Sequence, residues 1–303
     1  MTEAAAPAPA IWDGGDLADL LDLEPLPGGL FRARRNEFNE HRRIYGGQLM
    51  GQAMMAAART VPQERPASFL QFLFVAGGMP QHAIDYQVSN LQEGKRFSSR
   101  NVRGMQADGR IICDAGVSFA KAIDGPAHQS APAENCGLHL DPQRLATLDD
   151  IVADEAREVE RTIGYPFRRH SAMDFRPAFI EDLLRPEAAE PRMRFFIRIR
   201  RRLPDDQALH AAAFAYLSDF WINFAACIPH VHATARAGGK LYVASLNHTL
   251  WLHRPLRADE WLLFDCRSPS SAQGRGLSIA RIHNRSGDLV ASATQECLLA
   301  PTE

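Results

Sequence analysis

The feature that most restricts the fold is an internal repeat. Sliding the chain against itself by 178 residues sets YQVSNLQEGKRFSSRNVRGMQADGRIICDAGVSF over FDCRSPSSAQGRGLSIARIHNRSGDLVASATQEC. Arg103 then meets Arg281, Gly109 meets Gly287 and Ala115 meets Ala293. Turn signals at Asp108-Gly109 and at Ser286-Gly287-Asp288 separate strand-like runs of matching length, which points to a tandem duplication. Each unit then has to bury one helix and one face of a long antiparallel sheet.

The first unit, over residues 13–125, carries HRRIYGGQLMGQAMMAAARTVP, which predicts a helix from about 47 to 60. Leu49, Met50, Ala53, Met54 and Ala57 cover more than one face and Gly47 and Gly51 lie one turn apart, so other structure must enclose this helix. SFLQFLFVA, HAIDYQVSNLQ, KRFSSRNVRGMQ and RIICDAGVSFAKA follow as strands. The second unit, over 191–303, opens with the strand RMRFFIRIRRRL and a helix from about 206 to 227 capped by LPDD. KLYVASLNHTLWLH, EWLLFDCRS, RGLSIARIHN and DLVASATQECLLA complete its sheet. Residues 126–190 read as a linker with a charged helix around 148–162, and residues 1–12 as a mobile tail. The fold class is α+β.

With 46% hydrophobic and 23% charged residues and a net charge of -2, the chain has no electrostatic footprint for nucleic acid or a membrane surface. No apolar run approaches the ~20 residues that a membrane helix needs. The five cysteines are odd in number and form no C-x-x-C pair, which argues against a disulfide framework or a zinc finger. The beginning of the chain lacks the basic and apolar regions of a signal peptide, and LLAPTE is not an S-K-L-type ending, so the expected location is the cytoplasm.

Three polar residues interrupt apolar surroundings in the second half. Asp219 stands in YLSDFWINFAACIPH, with Ala212, Ala215, Tyr216, Ile222, Asn223 and Ala226 on the same helical face. Two readings stay open: a helix cap made with Ser218, or a buried carboxylate put to chemical use. Ser245 alternates with Val243, and Gln295 with Leu289, Ala291, Ala293 and Leu299. The repeat places Val117 opposite Gln295, so one half is polar where the other is apolar. For Ser245 and Gln295 taken singly, a hydrogen bond to backbone is the simpler reading.

IYGGQLMGQAMMAAARTVP, LPDDQALHAAAFAYLSDF, ASLNHTLWLHRPLRADEWLLFDCRSPSSAQGRGL and SGDLVASATQECLL resemble the acyl-CoA thioesterase II family, the TesB-like enzymes, over about residues 30–300. The ordered motifs HRP-x-R-x-x-EWLL, S-x-S-x-x-x-GRG and LVAS-x-x-QE carry most of the resemblance. It implies a double hotdog fold, two units each with a long helix wrapped by a curved sheet, the sheets joined side by side. It also implies an acyl-CoA substrate, no cofactor, and a homo-oligomer of two or four chains. The family's catalytic Asp, Ser or Thr, and Gln match Asp219, Ser245 and Gln295. The chain departs from the family at Gln71, where a His is usual, at Val75 and Ala76, where Arg-Pro is usual, and at Asn247, where Asp is common beside His248. The first two departures lie beside the family's substrate channel.

On this reading Asp219 takes a proton from water while Gln295 and Ser245 fix that water. Burial favours the protonated carboxyl, and hydrogen bonds to the ionised form oppose it. Backbone N–H groups at Gly46, Gly47 and Gln48, at the start of the first helix, are candidates to bind the substrate's oxyanion, and His248 is a candidate substrate contact. A hotdog hydratase would need a D-x-N-P-x-H-type segment, and a serine hydrolase G-x-S-x-G; neither is present. His230, His232, His248 and His253, with Cys227 nearby, lack spacing that aims ligands at one point, so no metal is expected. A non-catalytic acyl-CoA-binding protein is the alternative from another class.

Overall fold

The computed structural model describes residues 9–39, 41–106, 109–151, 157, 159–162, 170–181 and 191–302. The chain divides into two compact units, residues 1–123 with 203–216, and residues 124–202 with 217–303.

In the first unit β1 (Ala10–Ile11) pairs in parallel with β4 (Arg35–Asn36), and Trp12 is buried edge-on against Tyr216 with ring centroids 6.4 Å apart. Residues 10–12, read as part of the tail, are therefore ordered by a strand partner and an aromatic contact. Helix α1 (Leu17–Leu21) starts at Asp16, whose carboxylate accepts from the Ala18 N–H at 2.9 Å. Strands β2 (Leu23–Leu26), β3 (Leu30–Ala33), β5 (Ala67–Phe74), β6 (Asp85–Glu93), β7 (Phe97–Gln106) and β8 (Arg110–Ala120) form an antiparallel sheet in the order β2-β3-β6-β7-β8-β5. This sheet packs on α2 (Gly46–Ala58), which is buried from Gly47 to Ala57, as its all-round apolar surface requires. Gly47 and Gly51 allow a close backbone approach. A Cβ at Gly51 would sit 2.9 Å from the Ala212 carbonyl oxygen, and one at Gly47 would collide with that of Tyr216. Of the turn expected at Asp108-Gly109, Asp108 lies outside the described residues and Gly109 has φ +75°.

Helix α3 (Gln207–Ser218) starts at Asp206, which accepts from the Ala208 N–H at 2.9 Å, as LPDD suggests. The second unit contains β9 (Met173–Pro177), β10 (Arg192–Ile199), α4 (Phe224–Arg236), β11 (Lys240–Leu252), β12 (Leu262–Ala272), β13 (Arg275–His283) and β14 (Leu289–Thr302). Its strands run in the order β11-β14-β13-β12-β10-β9, and α4 packs on β10 to β13. The expected linker is part of this unit. It supplies β9, and Cys136 and Ala178 pack with Phe196, Trp261 and Leu263. Of its expected charged helix, Leu148–Asp150 is a 3-10 turn closed by a Thr147–Asp150 capping box, and residues 152–156 and 158 lie outside the described residues.

The duplication is visible in the register. Adding 178 to each residue of the β5–β8 ladder reproduces the β11–β14 ladder: Leu70↔Val117 becomes His248↔Gln295, and Phe72↔Ala115 becomes Leu250↔Ala293. The bulge between Ala67 and Phe69 recurs between Ser245 and Asn247. The β7–β8 and β13–β14 ladders match as well, with the irregularity after Gly104 repeated after Ile282. The same offset carries α2 onto α4, so α4 is the second unit's central helix.

This corrects the helix expected over 206–227. The chain leaves helical geometry after Ser218, passes through Trp221 at φ +64°, and resumes at Phe224. The apolar run continues through the interruption, so periodicity alone does not reveal it.

Candidate active site

Three elements of the second unit bring Asp219, Ser245 and Gln295 together. Asp219 stands in the turn between α3 and α4, not within a helix. Ser245 precedes the bulge in β11, and Gln295 lies on β14 among buried Ala291, Ala293, Cys297 and Leu299. The period of two predicts that face of β14 correctly. The bulge does something that no fixed period can. By inserting one residue between Ser245 and Asn247, it lets Ser245 and buried His248 both face inward, while Asn247 bonds Glu296 at 2.9 Å.

The Gln295 side-chain N–H groups donate to Asp219 Oδ1 at 2.6 Å and to Ser245 Oγ at 2.9 Å. A carboxylate only accepts, which fixes the orientation of the amide. Ser245 Oγ also lies 3.4 Å from Asp219 Oδ1. The N-cap position of α4 is held by Asn223 and not by Asp219, and the Asp219 carboxylate accepts from β14.

Gln295 is fully buried and its Oε1 has no partner among the described residues. Ser278, directly opposite on β13, is also fully buried with an unpartnered Oγ, and so is Nδ1 of His248, opposite on β11. One rung across the sheet thus reads His248–Gln295–Ser278 and carries three unpaired polar atoms. The equivalent rung of the first unit reads Leu70–Val117–Arg100, and there the Arg100 guanidinium is held by Thr60, Asn90, Gln92 and Glu93. Buried polar atoms cost about 1–3 kcal/mol when unpaired, so the second unit's rung is suited to hold water or a polar ligand group. Ser278 was not singled out in the sequence, where it reads as one more alternating strand residue.

Gly46, Gly47 and Gln48 begin α2 in the first unit. Gln48 is committed to structure. Its N–H bonds the Tyr45 carbonyl at 3.1 Å, its Oε1 accepts from the Glu37 N–H at 2.6 Å, and its side-chain nitrogen donates to Asn36 and Gln52. His248 is fully buried, its Nε2 is 3.2 Å from Ser218 Oγ, and burial pushes its pKa down to about 3. The ring is therefore neutral at physiological pH. Gln71 and Val75, where the chain departs from the family, are exposed, Gln71 between the inward Leu70 and Phe72. Among the described residues no three His, Cys, Asp or Glu side chains converge as metal ligands.

Residues 142–299 match the family described as acyl-CoA thioesterase C-terminal domain, and residues 35–120 match acyl-CoA thioesterase N-terminal domain. The chain is 31% identical to acyl-coenzyme A thioesterase 8 of Homo sapiens, over 91% of this chain and 86% of that protein. It is 27% identical to acyl-CoA thioesterase 2 of Haemophilus influenzae, over 95% and 98% respectively. The crystal structure of an acyl-CoA thioesterase II, TesB2, from Mycobacterium marinum has a TM-score of 0.74 at 31% identity and covers 95% of this chain and 99% of that one. A hot dog fold protein from Alicyclobacillus acidocaldarius has a TM-score of 0.70 at 17% identity, covering 94% and 98%, a likeness of fold alone.

Proposed function

The chain belongs to the acyl-CoA thioesterase family, as a TesB-like acyl-CoA thioesterase II with a tandem hotdog fold, and from this premise we propose that Asp219, Gln295 and Ser245 activate the hydrolytic water. The observation that carries the proposal is the Asp219–Gln295–Ser245 cluster, bonded at 2.6 and 2.9 Å, beside a buried and unpartnered Gln295 Oε1.

Hydrolysis of a thioester needs a water oriented towards the carbonyl carbon and a group to take its proton. Gln295 and Ser245 hold one carboxylate oxygen of Asp219, which orients the other as the base. The unpaired Oε1 accepts the water's second O–H, leaving a lone pair for attack. The water oxygen bonds the carbonyl carbon as Asp219 takes the proton. Collapse of the tetrahedral intermediate breaks the C–S bond, and the departing CoA thiolate takes that proton back, giving the free acid and CoA. Ser245 has no imidazole base, because the nearby ring of His248 is bonded to Ser218 instead, and its Oγ accepts from the Gln295 amide at 2.9 Å.

The test follows CoA thiol release from a panel of acyl-CoAs and takes intact-protein mass spectra of the quenched reaction. The proposal expects repeated turnover with no acylated protein. An acyl adduct on Ser245 or Asp219 would overturn it.

A further inference from the structure

Asp219 occupies a tight turn, closed by backbone bonds from the Phe220 N–H to the Leu217 carbonyl and from the Phe224 N–H to the Trp221 carbonyl, at 3.0 Å each. The turn contains a tryptophan at φ +64°, a conformation that costs about 1–3 kcal/mol and persists only where the surroundings impose it. On the far side of Asp219 the aromatic packing is dense. Trp221 lies 5.3 Å from Phe175 and 4.4 Å from Phe224 between ring centroids, and Phe220 packs on Phe175 at 5.3 Å. On the near side stands Ser218, the last residue of α3, with its Oγ 3.2 Å from Nε2 of His248. Both residues are fully buried.

The fold does not require a histidine at this position. The register twin of His248 is Leu70, fully buried at the same rung of the first unit. A fully buried imidazole gives up its hydration, and its Nδ1 has no partner among the described residues, so the ring is costly there unless it has work to do. Its position suggests the work: His248 faces Gln295 across the ladder and bonds the residue next to Asp219.

We propose that His248 is a positioning residue, which through Ser218 fixes the turn that presents Asp219 to Gln295 and the reacting water. The pair acts on geometry and leaves proton transfer to Asp219. It rests on the reading of Asp219 as the base. Burial, which keeps the ring neutral, fits a role in which the imidazole neither takes a proton nor binds an anion.

The test uses the full chain and measures kcat and KM for acyl-CoA hydrolysis in Ser218→Ala, His248→Leu, His248→Gln and the Ser218→Ala/His248→Leu double variant. Misplacing a catalytic group by about 1 Å can cost ~100-fold, so Ser218→Ala should lower kcat by about tenfold or more with KM within about twofold. His248→Gln, which keeps a hydrogen-bonding group near the position of Nε2, should recover part of the activity lost in His248→Leu. The double variant should lose no more than the worse single one, as expected for partners in one contact. A folded Ser218→Ala with kcat within twofold of the parent overturns the inference, as do additive losses or a loss confined to KM. Should His248→Leu fail to fold, Ser218→Ala and His248→Gln decide the matter by the same criteria. Asp219→Asn, run alongside, separates the two readings. If it is active, the base assignment falls and this inference with it; if it is inactive while Ser218→Ala is fully active, this inference alone falls.

Discussion

Replacing Gln295 by valine tests the site with the residue that the repeat itself supplies. Val117 occupies the same register in the first unit at 1% exposure, so a strand of this fold accommodates valine there. The variant removes N–H donors at 2.6 Å from Asp219 Oδ1 and 2.9 Å from Ser245 Oγ, together with the unpaired Oε1. Loss of the bond to the carboxylate costs about 1.5–3 kcal/mol of stability, and removal of the unpaired carbonyl returns about 1–3 kcal/mol. Folding should therefore change by no more than about 2 kcal/mol, read from urea denaturation. Catalysis has no such offset, because Asp219 loses the bond that orients it and the water loses an acceptor. A preorganised group of this kind is worth about 2.7–4 kcal/mol, or ~10²–10³ in kcat. Thiol release at saturating acyl-CoA measures this directly. A folded Gln295→Val variant with kcat within threefold of the parent would refute the reasoning.

Other consequences follow from the packing. His248 has its pKa pushed down to about 3 by burial, against about 6.5 in an unfolded chain. Below that unfolded value the unfolded state takes up a proton that the folded state refuses. The ring's share of stability is thus complete above about pH 6.5 and declines as pH falls towards 3, by roughly 2 kcal/mol at pH 5. The loss of urea resistance between pH 7 and 5 should be smaller in His248→Leu by that amount, and an equal loss in both proteins would count against it. Gly47→Ala forces a Cβ against the Tyr216 carbonyl oxygen and should destabilise by about 1–3 kcal/mol, a drop in melting temperature that calorimetry would register. The Arg192–Asp265 pair is bidentate at 2.7 and 2.9 Å, with both side chains 5% exposed. Arg192→Met alone should cost about 3–5 kcal/mol, and the double replacement Arg192→Met/Asp265→Leu should recover most of it in chemical denaturation.

The repeat and the inward faces of the strands were legible because strand periodicity is local and the register is shared: Val117 and Gln295 do stand at equivalent rungs. The polar character of the second unit was visible for the same reason. Other features arise from tertiary context. The bulge after Ser245 turns His248 to the face that simple alternation gives to its neighbours, and nothing in ASLNHTLW marks it. The helix break at Asp219 has apolar residues on both sides and is held by aromatic packing around Trp221 and by a bond from β14, so periodicity alone carries one helix to 227 and does not separate α4, the counterpart of α2. Strand β9 is five residues without clear alternation and exists because β10 offers it an edge. Gln48 looked available for chemistry but closes a polar network with Asn36, Glu37 and Gln52.

The central claim is that the carboxylate of Asp219 takes the proton of the attacking water. The most direct measurement is the rate of CoA thiol release by Asp219→Asn at saturating acyl-CoA, with folding verified by circular dichroism. Asparagine keeps the shape of the side chain and removes its basicity, so kcat should fall by ~100-fold or more. A folded Asp219→Asn enzyme that turns over within a few-fold of the parent would contradict the account.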